Sequence, residues 1–178
     1  GNWQLVGNPG DWQSIMAAAV MNQTIYSIDK TGNMYATATT SQQIGKADFA
    51  NTAFFVNTGS ALVIIAKDGK LYAINSENGY SKALSRNANW KNTIAATGAN
   101  GYLYTVDKSG VLYATDANGK YKAVGKPDFA NTRAICSLDN AIYTLEHSGY
   151  MYYVNPEDGQ WRQVGSNYQN AIAITGMN

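Results

Sequence analysis

At 178 residues the chain suits one domain, spanning residues 1–178, that can bury a sizeable core. Hydrophobic residues make up 45% of it, charged residues only 14%, and the net charge is +1, which excludes a disordered chain, a basic nucleic-acid footprint and an acidic tail. Cys136 is the only cysteine, so an internal disulfide and a cysteine-based zinc site are excluded, and no run of 18 apolar residues spans a membrane.

Taken in chain order, the first predicted element is a short strand, Trp3-Gln4-Leu5-Val6-Gly7. Trp12 follows, then a strand of small apolar residues from Ile15 to Val20. Residues 24–35 read as a β-hairpin, with apolar and polar residues alternating on both sides of a turn at Gly32. The glycine supplies the positive φ that a turn of this kind requires. The order then repeats. Gln42-Gln43-Ile44-Gly45 is a second Trp3-type strand, followed by Phe49, Asn51 and a small-residue strand from Ala53 to Val56.

Residues 61–72 form the next hairpin, about Gly69, and Tyr80-Ser81-Lys82-Ala83-Leu84 the next outer piece. Trp90 and Asn92 precede a strand from Thr93 to Thr97, a hairpin over residues 102–113 about Gly110, and Tyr121-Lys122-Ala123-Val124-Gly125. Phe129 and Asn131 precede a strand from Ala134 to Ser137, a hairpin over residues 141–152 about Gly149, and Trp161-Arg162-Gln163-Val164-Gly165. Tyr168, Asn170 and a last small-residue strand, Ala171 to Thr175, close the series.

The marker glycines Gly32, Gly69, Gly110 and Gly149 stand 37, 41 and 39 residues apart. A β-rich unit of about 39 residues with four antiparallel strands is the pattern of a β-propeller blade. Small side chains suit the innermost strand, where strands crowd the axis, and the Trp/Tyr strand falls outermost. The fold class is therefore all-β, a small β-propeller of four-stranded blades. Inner and outer strands occur five times but hairpins four times. The surplus strands predict a five-bladed ring with an incomplete closing blade; the alternative is a four-bladed ring with an extra hairpin. Open blade edges would allow pairing with a second copy.

The Trp-x-x-(Ile/Val)-Gly strand, the aromatic loop and the hairpin carry a resemblance. Trp161-Arg162-Gln163-Val164-Gly165 and Gly101-Tyr102-Leu103-Tyr104-Thr105-Val106 match best, and the whole chain resembles the tachylectin and tectonin class of lectin propellers. That resemblance implies glycan ligands, such as N-acetylated sugars or bacterial surface polysaccharide, bound in clefts between blades. An extracellular or secreted protein is expected, with the cytoplasm as the alternative, since a lone buried cysteine is compatible with either. The opening Gly1-Asn2-Trp3 is no signal peptide, so an exported protein would already have lost its signal.

Catalytic chemistry is poorly supplied, and no enzyme activity or cofactor is expected. His147 is the only histidine and sits in a hairpin turn, where other repeats have Lys30, Lys67 and Lys108. Cys136 lies in an inner strand, as a buried inert thiol would. Asp29, Asp107 and Glu146 share one repeat position beside a turn, which suits turn stabilisation better than a catalytic pair.

The recurring loop is the binding candidate. Trp12, Phe49, Trp90, Phe129 and Tyr168 would lie one per blade, with Asn51, Asn92, Asn131 and Asn170 two residues on. An aromatic ring matches the apolar C–H face of a sugar, and Asn matches its hydroxyls. The competing role for the same rings is to plug the gap between blades, with the Asn holding the loop. A glycan-binding module with several similar weak sites and a protein-interaction or receptor-binding propeller are the two functional readings.

Overall fold

The computed structural model describes Gly10 and residues 12–176. Sixteen strands make four separate antiparallel sheets, each of four strands in sequence order. The first blade is β1 (Ile15–Met21), β2 (Thr24–Asp29), β3 (Met34–Thr37) and β4 (Ser41–Ile44). The second is β5 (Thr52–Asn57), β6 (Leu62–Ala66), β7 (Leu71–Ile74) and β8 (Ser81–Ser85). The third is β9 (Thr93–Ala99), β10 (Tyr102–Asp107), β11 (Leu112–Thr115) and β12 (Tyr121–Val124). The fourth is β13 (Thr132–Leu138), β14 (Ala141–Glu146), β15 (Met151–Val154) and β16 (Trp161–Gly165).

The chain is thus an all-β propeller of four four-stranded blades. The five-bladed expectation is corrected: no fifth sheet forms among the described residues. The surplus inner piece, Ala171 to Thr175, carries no strand, because no hairpin lies beside it to supply hydrogen bonds. The surplus outer piece, Trp3 to Gly7, lies outside the described residues. The four-bladed alternative fits, and without an extra hairpin, since each hairpin is the middle of its own blade.

Local chemistry explains the strand boundaries. The inner strand turns into its neighbour through Asn22-Gln23 in the first blade and Asp139-Asn140 in the fourth. Both residues of each pair have positive φ, the twist that a two-residue hairpin loop needs, and Asn and Asp tolerate it better than most side chains. At the opposite end, Gly32 combines a φ of 90° with crowding. A Cβ there would run into the backbone of Phe49 and Ala50, the loop leading to the second blade.

Each sheet has two faces, and the core lies between successive blades. Ala19, Tyr26, Ile28, Met34 and Ile44 of the first blade pack on Phe55, Leu62, Ile64 and Ile74 of the second. Val56, Val63, Ile65 and Leu71 meet Leu103 of the third. Tyr104, Val106, Leu112 and Val124 meet Ile135, Ile142 and Val154 of the fourth. Burying a branched aliphatic side chain in this way contributes about 1.5–3 kcal/mol.

The inner strands follow one another around a channel of about 930 Å³. Its lining includes Ala18, Asn57, Gly98, Ser137 and Thr175, and no charged side chain among the described residues. One level of this channel knits the blades together. Asn57 Nδ2 donates to the Val20 carbonyl at 2.7 Å, and Ser137 Oγ donates to the Gly98 carbonyl at 2.7 Å. Between them, Gly98 lies directly against the Asn57 carbonyl, where a Cβ would collide with it.

Candidate functional site

The structure places the predicted loop aromatics in two different roles. Phe49, Trp90 and Phe129 are 7%, 5% and 4% exposed, and each belongs to a core cluster between blades. Each also donates its backbone N–H to the hairpin-turn glycine of the preceding blade, at 3.0–3.2 Å, on Gly32, Gly69 and Gly110. These three rings are plugs, which corrects the expectation of one exposed sugar platform per blade. Asn51, Asn92, Asn131 and Asn170 are exposed. The backbone carbonyls of the first three accept from Lys67, Lys108 and His147, which ties each loop to its own hairpin turn. Tyr168 is 41% exposed, and Trp12 is half-buried beside the first blade.

Trp12 leads to a site that the sequence pattern did not single out. It lines a groove of about 740 Å³ on the first blade, together with Ser14, Ile15, Ser27, Tyr35, Thr37, Thr39, Thr40, Ser41 and Gln43. The β-pairing explains the convergence. Ser27, Tyr35 and Gln43 are cross-strand neighbours in one row, and Thr37 and Ser41 form the next row on the same face. Thr37 Oγ1 donates to Ser41 Oγ at 3.1 Å, and Gln43 Nε2 to Asn33 Oδ1 at 3.3 Å.

This face is the one by which blades two to four receive the blade before them. Among the described residues, no earlier blade covers it on the first. The register shows how the sequence adapts. Where the first blade has Ser27, the others have Ile64, Thr105 and Thr144; where it has Ser41, the third and fourth have Tyr121 and Trp161. Those larger rings fill the equivalent space. Tyr121 packs edge-on to Trp90 at 5.5 Å, and Trp161 packs edge-on to Tyr152 at 5.1 Å and donates Nε1–H to Asp128 at 3.0 Å. The signal lies at these two repeat positions and not in the loop aromatics.

Asp29, buried beside Tyr35, is fully engaged. Its carboxylate accepts from the backbone N–H groups of Thr31 and Asn33 at 2.9 Å, from Thr31 Oγ1 at 2.7 Å, from Asn33 Nδ2 at 3.1 Å and from the Tyr35 hydroxyl at 3.2 Å. Burial pushes the carboxyl up, but the hydrogen bonds from Thr31 and Asn33 outweigh it and hold the pKa at about 2. Burial and the bond to Asp29 push the Tyr35 hydroxyl up, so it stays a neutral donor near pH 7. Asp107 and Glu146 hold their own turns through Ser109 and Ser148. The shared acids are turn braces.

A depressed carboxyl contributes stability above its unfolded pKa, and that contribution disappears as pH falls through the folded value. For Asp29 the window runs from about pH 4 to about 2. The loss is roughly 1–2 kcal/mol after solvent screening. Asp29→Asn should therefore flatten the acid limb of a stability-versus-pH curve in that window, measured by urea unfolding. An unchanged acid limb would show that the turn does not hold the charge.

The remaining chemistry is sparse. Cys136 is buried in the channel wall, and burial pushes its thiol up, away from the reactive thiolate. His147 is exposed in its turn. Among the described residues, no three His, Cys, Asp or Glu side chains gather as a metal site.

No family model matches this chain, and no curated protein matches it. Solved structures do. A nidogen/laminin complex superposes with a TM-score of 0.68 at 11% identity, covering 90% of this chain and 68% of that one. A catalytically inactive virginiamycin B lyase from Staphylococcus aureus, solved with quinupristin, gives 0.65 at 10% identity, covering 93% and 59%. The computationally designed protein Ika8 gives 0.63 at 16% identity, covering 86% and 50%. At such identities the likeness concerns the fold, and this chain spans about half to two thirds of each of these structures.

Proposed function

We propose that this chain is a non-catalytic binding propeller whose ligand is an uncharged glycan segment held in the groove of the first blade. The observation that carries this is the lining. Trp12 and Tyr35 offer aromatic faces, while Ser14, Thr39, Thr40, Ser41 and Gln43 offer hydroxyl and amide groups. Among the described residues, no lysine or arginine lines the groove to neutralise an anionic sugar. The volume of about 740 Å³ suits a di- or trisaccharide. The resemblance to lectin propellers, whose ligands sit between blades, agrees with a seam-face site. It replaces the expectation of several equal sites with one main groove.

Glycan-array binding, followed by calorimetry on the best ligand, tests this. Trp12→Ala and Gln43→Ala should each weaken binding about tenfold or more, and Gln43→Ala should do so with the melting temperature nearly unchanged. Binding to no glycan, or unchanged affinity in both variants, would overturn the reading.

A protein-interaction role is the second reading, and one observation favours it. Tyr150, Tyr152 and Trp161 run edge to edge along the fourth blade at 6.5 and 5.1 Å, and the two end residues are 43% and 48% exposed. Tyr and Trp on such a ridge are the residues that anchor protein interfaces. One of the superposable structures is itself a complex between two proteins. Trp161→Ala should abolish partner binding under this reading and leave glycan binding intact.

A further inference from the structure

We propose that the aromatic ridge of the fourth blade is an arginine-binding site: an arginine of a partner protein stacks its guanidinium on the exposed rings and bonds to the carboxylate of Asp128 or Glu146. The proposal rests on the protein-interaction reading of the same ridge and names the chemistry of its partner.

The β-pairing puts the parts on one face. Thr144, Tyr152 and Gln163 are cross-strand neighbours in one row, with Trp161 two residues along β16 from Gln163. Glu146 and Tyr150 stand at the hairpin-turn end, where the Glu146 N–H donates to the Tyr150 carbonyl at 2.9 Å. This face lies at the seam with the third blade, and the loop between the two blades contributes Asp128, bonded to the Trp161 indole. The site is therefore built within residues 128–163, by blades that pack on each other.

The fourth blade departs from the other three here. At the positions of Tyr150 and Trp161 the first blade has Asn33 and Ser41, the second Lys70 and Ser81, and the third Val111 and Tyr121. Only the fourth carries a ring at both. Half-buried Tyr152 lies between Tyr150 and Trp161, edge-on to each. The turn acid changes as well. Asp29 and Asp107 accept from backbone N–H and side-chain groups of their own turns. Among the described residues, the longer Glu146 accepts only from Ser148 Oγ, through Oε2 at 2.8 Å, and Asp128 only from Trp161, through Oδ2. Each keeps an oxygen for an incoming donor. Burial, and then the Glu146 charge, push the Tyr152 hydroxyl up, which sets that carboxylate beside the ring. Among the described residues, neither carboxylate is in an ion pair, and no cation of the chain stacks on these three rings.

Electron-rich ring faces with carboxylates at their margins select a cation that sheds water readily. Guanidinium is more weakly hydrated than ammonium, lies flat on a ring and still presents N–H donors at its edge. The same blade already makes this contact on its opposite face, where Arg162 stacks over its cross-strand neighbour Tyr153, 5.0 Å from the ring centroid.

The test titrates the isotope-labelled full chain with the peptide acetyl-Gly-Ser-Arg-Gly-Arg-Ser-Gly-amide and with its twin carrying lysine for arginine. The Trp161 indole N–H resonance should shift saturably with the first, and the lysine twin should bind about fivefold more weakly or worse. Glu146→Gln and Asp128→Asn should each weaken the arginine peptide about threefold or more with the fold intact. Asp128→Asn keeps an acceptor for the indole, so it removes the charge and spares the ring. No saturable shift, equal affinity for the two peptides, or unchanged affinity in both charge variants would overturn the proposal. Loss of glycan binding in Trp161→Ala would overturn it too, by making the ridge a sugar site. Should the arginine peptide fail while Trp161→Ala still abolishes binding of a partner protein, the arginine assignment falls and the protein-interaction reading stands.

Discussion

Replacing Trp90 by alanine is expected to lower the unfolding free energy by about 3–5 kcal/mol, the cost of deleting a large ring from a packed core. Trp90 is buried between the second and third blades, in a cluster with Val63, Ile65, Leu71 and Leu103. It also meets Tyr121 edge-on at 5.5 Å, a geometry that adds roughly 0.5–1.5 kcal/mol beyond area. The neighbouring backbone is held by the Trp90 N–H to the Gly69 carbonyl, so the site cannot collapse freely. Urea unfolding of Trp90→Ala and Phe129→Ala measures the loss, and glycan titration of the same variants should show unchanged affinity. Lost binding with stability reduced by less than about 1 kcal/mol would return these rings to a ligand site.

Gly98→Ala is expected to cost about 3 kcal/mol, at the upper end for overpacking. The added methyl would strike the backbone of Asn57 and Thr58, and a strand backbone gives way far less easily than the end of a flexible side chain. The second and third blades would have to separate at their inner strands. Separation would also disturb the Ser137 bond to the Gly98 carbonyl and so pass to the fourth blade. Ser137→Ala removes only that hydrogen bond and should cost about 1 kcal/mol. Thermal and urea unfolding of both variants check the order. A Gly98→Ala protein as stable as the parent would mean that the inner strands do not approach as closely as the structure has them.

Much of the blade was legible because it rests on local chemistry. Strand alternation, turn glycines such as Gly32 and Gly69, and small residues such as Ala95 and Ala96 act within a few residues of one another. The count of blades was not legible. Ala171 to Thr175 has the composition of an inner strand, yet a strand exists only where a neighbour supplies hydrogen bonds. Nor was the site. In a loop the period-two rule lapses, so nothing in the sequence says whether Phe49 faces solvent or the next blade. The groove needed Ser27 and Ser41 compared with their counterparts, which matter only once two sheets face each other.

By itself, the sequence determined the unit: four antiparallel strands, their order, their turns and the small-residue inner strand. These follow from alternation and backbone conformation, which each segment carries alone. Only the tertiary structure decided which faces the blades close and which stay open. It turned three of the five loop aromatics into plugs and left the first blade's polar face as a groove. Those outcomes depend on surfaces distant in the chain meeting, and burial is a property of the pair.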